Sequence, residues 1–251
     1  MAVRDDEHGP RIFFSWEEIG HLALGSTVLT LAFALVLGIR TGGAFVLPPG
    51  FDFSDAPRLL FFSAIVVLPA FVLHEIAHKI VAQRKDMWAE FRASIKGLVV
   101  GFILTAGIGF LALVPGAVQI YGKGRDQALY ELREARLHGD ASEVAFATAE
   151  LRDAARNEGI ISVVGPILNL VLGYGALLLE PVVGPIRVSR DFGNLLEVIV
   201  LLNGILAAFN MLPIGPLDGR KVWHWSKLAF VGMWAMIVAL ALLILQSAYT
   251  I

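Results

Sequence analysis

His74, Glu75 and His78, within five residues of one another, carry the strongest chemical signal in the chain. On a helix, side chains four apart share a face, so His74 and His78 can grip one metal ion through their imidazole nitrogens. Glu75 projects beside them, close enough to take a proton from a water held there. Apolar residues continue on both sides, from Pro69 to Leu73 and from Ile80 to Ala82, as one unbroken helix requires. Burying two histidines and a carboxylate in such a segment is costly, and ionisable groups so placed are functional by default. A hydrolytic metal site takes a third protein ligand and leaves the fourth position to water. His8 and His138 lie in polar stretches, His21 begins an apolar block and His224 follows another, so these four read as interfacial or solvent-exposed.

A second motif runs from Asn210 through Pro213 and Pro216 to Asp218 and Gly219, at the end of a later apolar block. A carboxylate oxygen completes a two-histidine zinc site naturally. Taken alone, the same residues also fit an ordinary helix exit, with proline and glycine as breakers and Asp218 facing water.

With Gly165-Pro166-x-x-Asn169 between them, the two motifs resemble the site-2 protease family of intramembrane zinc metalloproteases, over roughly residues 58–225. The resemblance implies Zn2+ bound by His74, His78 and Asp218, with Glu75 as the catalytic residue that activates water. It implies that Asn210 binds substrate near the scissile peptide. Gly165 and Pro166 would let helices pack closely, Asn169 would hydrogen-bond within the bundle, and Pro213 and Gly219 would shape the loop. The chain departs from the pattern at Arg220, where the family carries a second glycine.

The elements that must position these residues follow from composition. Of 251 residues, 57% are hydrophobic and only 17% charged, against about 50% and about 25% in soluble domains. Six apolar blocks stand out, at 21–39, 58–82, 97–114, 160–180, 194–212 and 227–250. Five come close to the roughly 20 residues a spanning helix needs, whereas 97–114 is marginal and broken by three glycines. Charges before the first block argue against a cleavable signal, so that block is expected to remain as an anchor. Residues 88–95 alternate, with Glu90, Arg92 and Ser94 on one face and Ala89, Phe91, Ala93 and Ile95 on the other, which predicts a short strand. The polar stretch 121–158 predicts a solvated helical hairpin divided at Gly139-Asp140, with Asp140 or Ser142 capping its second helix.

His74 and His78 lie near the end of the second block and Asp218 after the fifth, so an even number of crossings must separate them. Blocks four and five supply two, which makes 97–114 a re-entrant segment. That topology puts 15 Lys and Arg on the side of the N-terminus and site against 4 on the other, and a full crossing of 97–114 would leave 8 against 11. The positive-inside rule then places the N-terminus and the site toward the cytoplasm. The expected fold is an all-α membrane protein, a polytopic transmembrane helix bundle of five spanning helices plus a re-entrant segment. It would carry a short membrane-associated β element and a polar cytoplasmic helical insertion at 121–158, all within one domain, 1–251.

The expected function is a multi-pass protease of the cell membrane that cuts membrane-protein substrates within or beside their transmembrane helices. The strand at 90–95 would hold the unwound substrate by edge pairing. The lipid bilayer is a partner, and a net charge of −2 argues against nucleic acid. Two rivals are a non-proteolytic metal-binding membrane protein, a transporter or scaffold, and a bundle with incidental motifs. A passive metal site has no need of a base beside its histidines, and three motifs in order make coincidence a poor account.

Overall fold

The computed structural model describes residues 12–39, 56–85, 87–108, 116–121, 124–186 and 194–249. The expectations for residues 1–11, for 109–114 of the third block, and for Arg40, Lys123, Arg187 and Arg190 lie outside them. The described chain runs α1 (Trp16–Ile39), α2 (Ala56–Gln83), β1 (Trp88–Ala93), α3 (Ile95–Ile108) and β2 (Gly116–Tyr121). It continues through α4 (Arg125–His138), α5 (Ala141–Val183), α6 (Leu195–Asn210), α7 (Asp218–Trp225) and α8 (Lys227–Tyr249).

Among the described residues four helices, α1, α2, α5 and α8, are long and apolar enough to cross a membrane. At 16 residues, α6 is an apolar helix below that length, as is α3 at 14.

The predicted second helix of the hairpin and the fourth apolar block are one element. α5 runs 43 residues without a break, about 65 Å, twice the hydrocarbon thickness of a bilayer. Residues 158–161 join the polar and apolar parts because Glu158-Gly159-Ile160-Ile161 contains no residue that stops a helix. Asp140 caps α5, its carboxylate accepting from the backbone N–H groups of Ser142 and Glu143. α4 packs on the polar end, where Glu158 Oε1 accepts from the N–H of Arg125 at 2.8 Å and replaces the missing side-chain cap of α4.

Helix directions follow from the pairs that touch. His78 meets Ile161 while Ala70 meets Asn169, so α2 and α5 are antiparallel. Asn169 meets Asn203 while Glu180 meets Asn194, so α5 and α6 are antiparallel as well. The C-terminal ends of α2 and α6 therefore share one end of the bundle, and the polar half of α5 stands beyond that same end.

β1 and β2 form an antiparallel pair with Ala93 opposite Gly116, so the chain between them leaves and returns at one place. The sequence pattern did not predict β2, which has little alternation. Within β1, Glu90 is buried and accepts from Arg92, with which it shares a face. The strand ends at Ala93, short of the expected Ile95, which opens α3. Two groups on the outer edge of β1 are already taken. The N–H of Phe91 donates to Glu18 Oε1 at 3.0 Å and Lys79 Nζ donates to the carbonyl of Ala89 at 2.9 Å. Lys79 and Glu18 pair at 2.5 Å, both almost fully buried, so the N–H of Phe91 and the carbonyl of Ala89 are already satisfied.

Apolar packing divides around α5. One cluster joins α1, α2 and the sheet through Phe33, Val67, Phe71 and Phe91. The other joins α5, α6, α7 and α8 through Leu170, Met211, Val222 and Leu240.

Candidate metal centre

His74 and His78 sit one turn apart on α2, near its C-terminal end, and both are buried. Their Nε2 atoms are 3.0 Å apart. Asp218 Oδ2 lies 3.4 Å from His74 Nε2 and 3.2 Å from His78 Nε2, closing a triangle of three donor atoms.

Asp218 reaches them from the first residue of α7. The chain leaves α6 at Asn210 and turns over Pro213 to Pro216, with Gly215 in the left-handed region at φ 56°. Gly219 then lies against the carbonyls of Met211 and Leu212, where a side chain would collide with backbone. Arg220, at the position of the family's second glycine, is exposed, so this turn accommodates a side chain there.

The outer partners fix the state of both imidazoles. The amide nitrogen of Asn169 donates to the carbonyl of Ala70 and to Asn203 Oδ1, each at 2.9 Å, so its oxygen faces His74 as an acceptor. His74 Nδ1 lies 2.5 Å from that oxygen and must be the donor. His78 Nδ1 likewise donates to the carbonyl of Ile161 at 2.7 Å. With the proton on Nδ1 in each ring, both Nε2 atoms present lone pairs to one another and to a carboxylate. Three acceptors converging in a buried site repel unless a cation stands among them. Histidines whose other nitrogen is tied to an acceptor in this way are the usual arrangement around a bound metal.

The dimensions fit zinc. Bonds of about 2.0–2.1 Å in a tetrahedral site put ligand atoms roughly 3.3 Å apart, and the triangle here has sides of 3.0, 3.2 and 3.4 Å. Beside it is a cavity of about 20 Å³, room for one water-sized occupant. Glu75 lines it, with Oε2 buried and lacking a hydrogen-bond partner among the described residues.

Of the residues singled out from sequence, His74, His78, Asp218, Glu75 and Asn210 meet at this cavity. Asn210 there donates through Nδ2 to the carbonyl of Leu206. Gly165 passes the two imidazoles, and Asn169 bridges His74, α2 and α6. Pro166 cannot donate to the carbonyl of Ser162, which leaves one rung of α5 open near the site. His224 is exposed and bonded to its own helix, while His21 and His138 lie outside the group of potential ligands.

Sequence reading missed Asn203, Ser162, Lys221 and the strand residues Gly116 and Val118. Asn203 is a buried amide within an apolar block, a signal that was available. Ser162 lines the cavity, and its hydroxyl lacks a partner among the described residues. The carbonyl of Ile161 had no sequence signal at all.

The model of the family described as Peptidase family M50 matches residues 85–226. That stretch contains Gly165, Asn169, Asn210 and Asp218, while His74, Glu75 and His78 precede it. Over 192 residues the chain is 33% identical to "Putative zinc metalloprotease MJ0611" of Methanocaldococcus jannaschii, covering 74% of this chain and 80% of that protein. No solved structure matches the chain.

Proposed function

The chain belongs to peptidase family M50, the site-2 protease family, and from that premise we propose that it is a zinc protease cleaving membrane-protein substrates within or beside their transmembrane helices. One observation carries the reading: two imidazole lone pairs and a carboxylate converge beside a glutamate whose Oε2 has no hydrogen-bond partner among the described residues, in a bundle with helices of membrane-spanning length.

His74, His78 and Asp218 would hold the zinc, with Asn169 and the carbonyl of Ile161 keeping the rings aimed. When bound, zinc supplies a Lewis acid that polarises a carbonyl and lowers the pKa of water toward about 7. Glu75, with a free oxygen at the cavity, takes a proton from the attacking water and returns it to the leaving amine. Asn210 has a second amide N–H available for the substrate carbonyl. His78 and His74 lie five and nine residues from the end of α2, about 8–14 Å along the axis at 1.5 Å per residue. Hydrolysis would occur just inside the membrane surface, where water can reach.

A substrate helix must unwind before its peptide bond is exposed. With two groups of the β1 edge taken by Glu18 and Lys79, the pairing is assigned to β2. The parity of the ladder turns the backbone of Gly116 and Val118 outward, and both residues line the cavity.

The proposed topology has α1, α2, α5, α6 and α8 crossing, and the excursion from Ala93 to Gly116 re-entrant. Its support is the antiparallel order of α2, α5 and α6, the return of the chain to its own register partner, and the excess of Lys and Arg on the side of the site. That excess orients the site toward the cytoplasm of a multi-pass cell-membrane protein. A transporter or scaffold would leave Glu75 without a task.

The decisive experiment compares wild type with Glu75→Gln and Asp218→Ala. We expect about one zinc per chain in wild type and Glu75→Gln, a loss of zinc in Asp218→Ala, and cleavage in wild type alone. Cleavage retained by Glu75→Gln would overturn its role as the base, and zinc retained at full occupancy by Asp218→Ala would remove Asp218 from the site.

A further inference from the structure

Resting on the protease reading, one residue at the centre has no task yet. Lys221 follows Asp218 by three residues on α7, close to one turn, and lines the same cavity as Glu75, Ser162, Asn210 and Asp218. Half-buried, it is the sole Lys or Arg among the described residues lining that cavity. No hydrogen bond or ion pair joins it to a described residue, yet it stands near enough to Glu75 for the two charges to attract. A lysine that merely covered apolar surface would carry its ammonium out to water.

Peptide hydrolysis creates a demand for such a cation. One water is consumed: its oxygen adds to the carbonyl carbon, the C–N bond breaks, and both its protons end on the amine. Negative charge grows on the carbonyl oxygen and remains on the carboxylate of the N-terminal product. Glu75 and Asp218 repel that charge, and one N–H of Asn210 is already given to Leu206. We propose that Lys221 is a substrate-contacting residue whose ammonium pairs with the scissile carbonyl oxygen as charge develops and then with the product carboxylate. It neither gives nor takes a proton, so its part is electrostatic.

Zinc-loaded, detergent-solubilised wild type, Lys221→Met and Lys221→Arg test this by titration calorimetry with N-acetyl-dileucine as the free acid and as the amide. Zinc alone favours the acid in every variant, so the readout is the ratio of acid to amide affinity. We expect that ratio to fall about tenfold or more in Lys221→Met, the size of a charge-assisted hydrogen bond, and to stay near wild type in Lys221→Arg. An unchanged ratio in Lys221→Met overturns the proposal, as does a wild type without preference for the acid. Loss of zinc from Lys221→Met also overturns it, because Lys221 would then belong to the framework of the metal site. Lys221→Gln gives the same readout where the methionine variant does not fold. A protein that shows the preference and hydrolyses no peptide would sink the protease reading and leave the carboxylate site standing.

Discussion

Gly165 on α5 faces His78 so closely that a Cβ at this glycine would stand 2.5 Å from Nε2, and 2.6 Å from Nε2 of His74. The close approach of α5 to α2 is what lets Ile161 and Asn169 reach the two rings. We predict that Gly165→Ala pushes the imidazoles off their common point and weakens zinc binding at least tenfold, the usual scale for disturbing the partners of metal ligands. Gly175, on the same helix with open space around it, is the control. Gly175→Ala should leave zinc affinity unchanged, as read by competition with a chelator.

Asn169 aims His74 and ties α2 to α6, since its amide spans His74, Ala70 and Asn203. Asn169→Leu would leave the Nδ1 of His74 without an acceptor and Asn203 Oδ1 without that donor. Zinc affinity is expected to drop about 10–100-fold. Asn169→Asp keeps the acceptor for His74 while removing the donors, and so should bind zinc better than Asn169→Leu. The reverse order, in the same chelator competition, would show that the bridge to α6 matters more than the aim of the ring.

The Lys79–Glu18 pair binds two backbone groups on the outer edge of β1 and is almost wholly buried. Removing one partner of such a pair leaves an uncompensated charge, so Lys79→Met or Glu18→Gln should each destabilise by about 3–5 kcal/mol. The double variant Glu18→Leu/Lys79→Met should recover only part of this. The N–H of Phe91 and the carbonyl of Ala89 would remain unpaired, at about 1–3 kcal/mol each. Unfolding midpoints of the three variants in one detergent check the order.

Asp140 accepts from the hydroxyl of Ser142 and from the N–H groups of Glu143 and Ser142, and these bonds lower its pKa below the ordinary aspartate value. A depressed folded-state value means that the stabilisation of the first turn of α5 is complete above the ordinary value. It fades as pH falls through the lower, folded one. Amide exchange at residues 142–146 should therefore quicken, relative to the rest of α5, only in strongly acidic buffer. In Asp140→Asn, whose amide oxygen still accepts, the acid-dependent part should vanish.

Local features were legible because they depend on local geometry. A helical repeat puts His74 and His78 on one face wherever the helix packs, and the alternation of residues 88–95 reads as a strand before any partner is known, two residues longer than the one that forms. The join between the polar and apolar halves of α5 was read as a boundary because composition changes there. Helix continuity depends on backbone conformation, and nothing at Gly159 breaks it.

The sequence alone determined the chemistry available: two histidines and a base on one helix, a carboxylate after a later one, and apolar blocks suited to a membrane. Tertiary structure decided how that chemistry is held. It brought Asp218 to the histidines across 140 residues of chain, set the carbonyl of Ile161 against His78, tied two edge groups of β1 to Lys79 and Glu18, and put Lys221 beside the cavity. Backbone carbonyls carry no residue signature, and a lysine three places after an aspartate looks like any solvated face. Their roles exist only once the packing of α5 against α2 and α7 fixes which groups meet away from water.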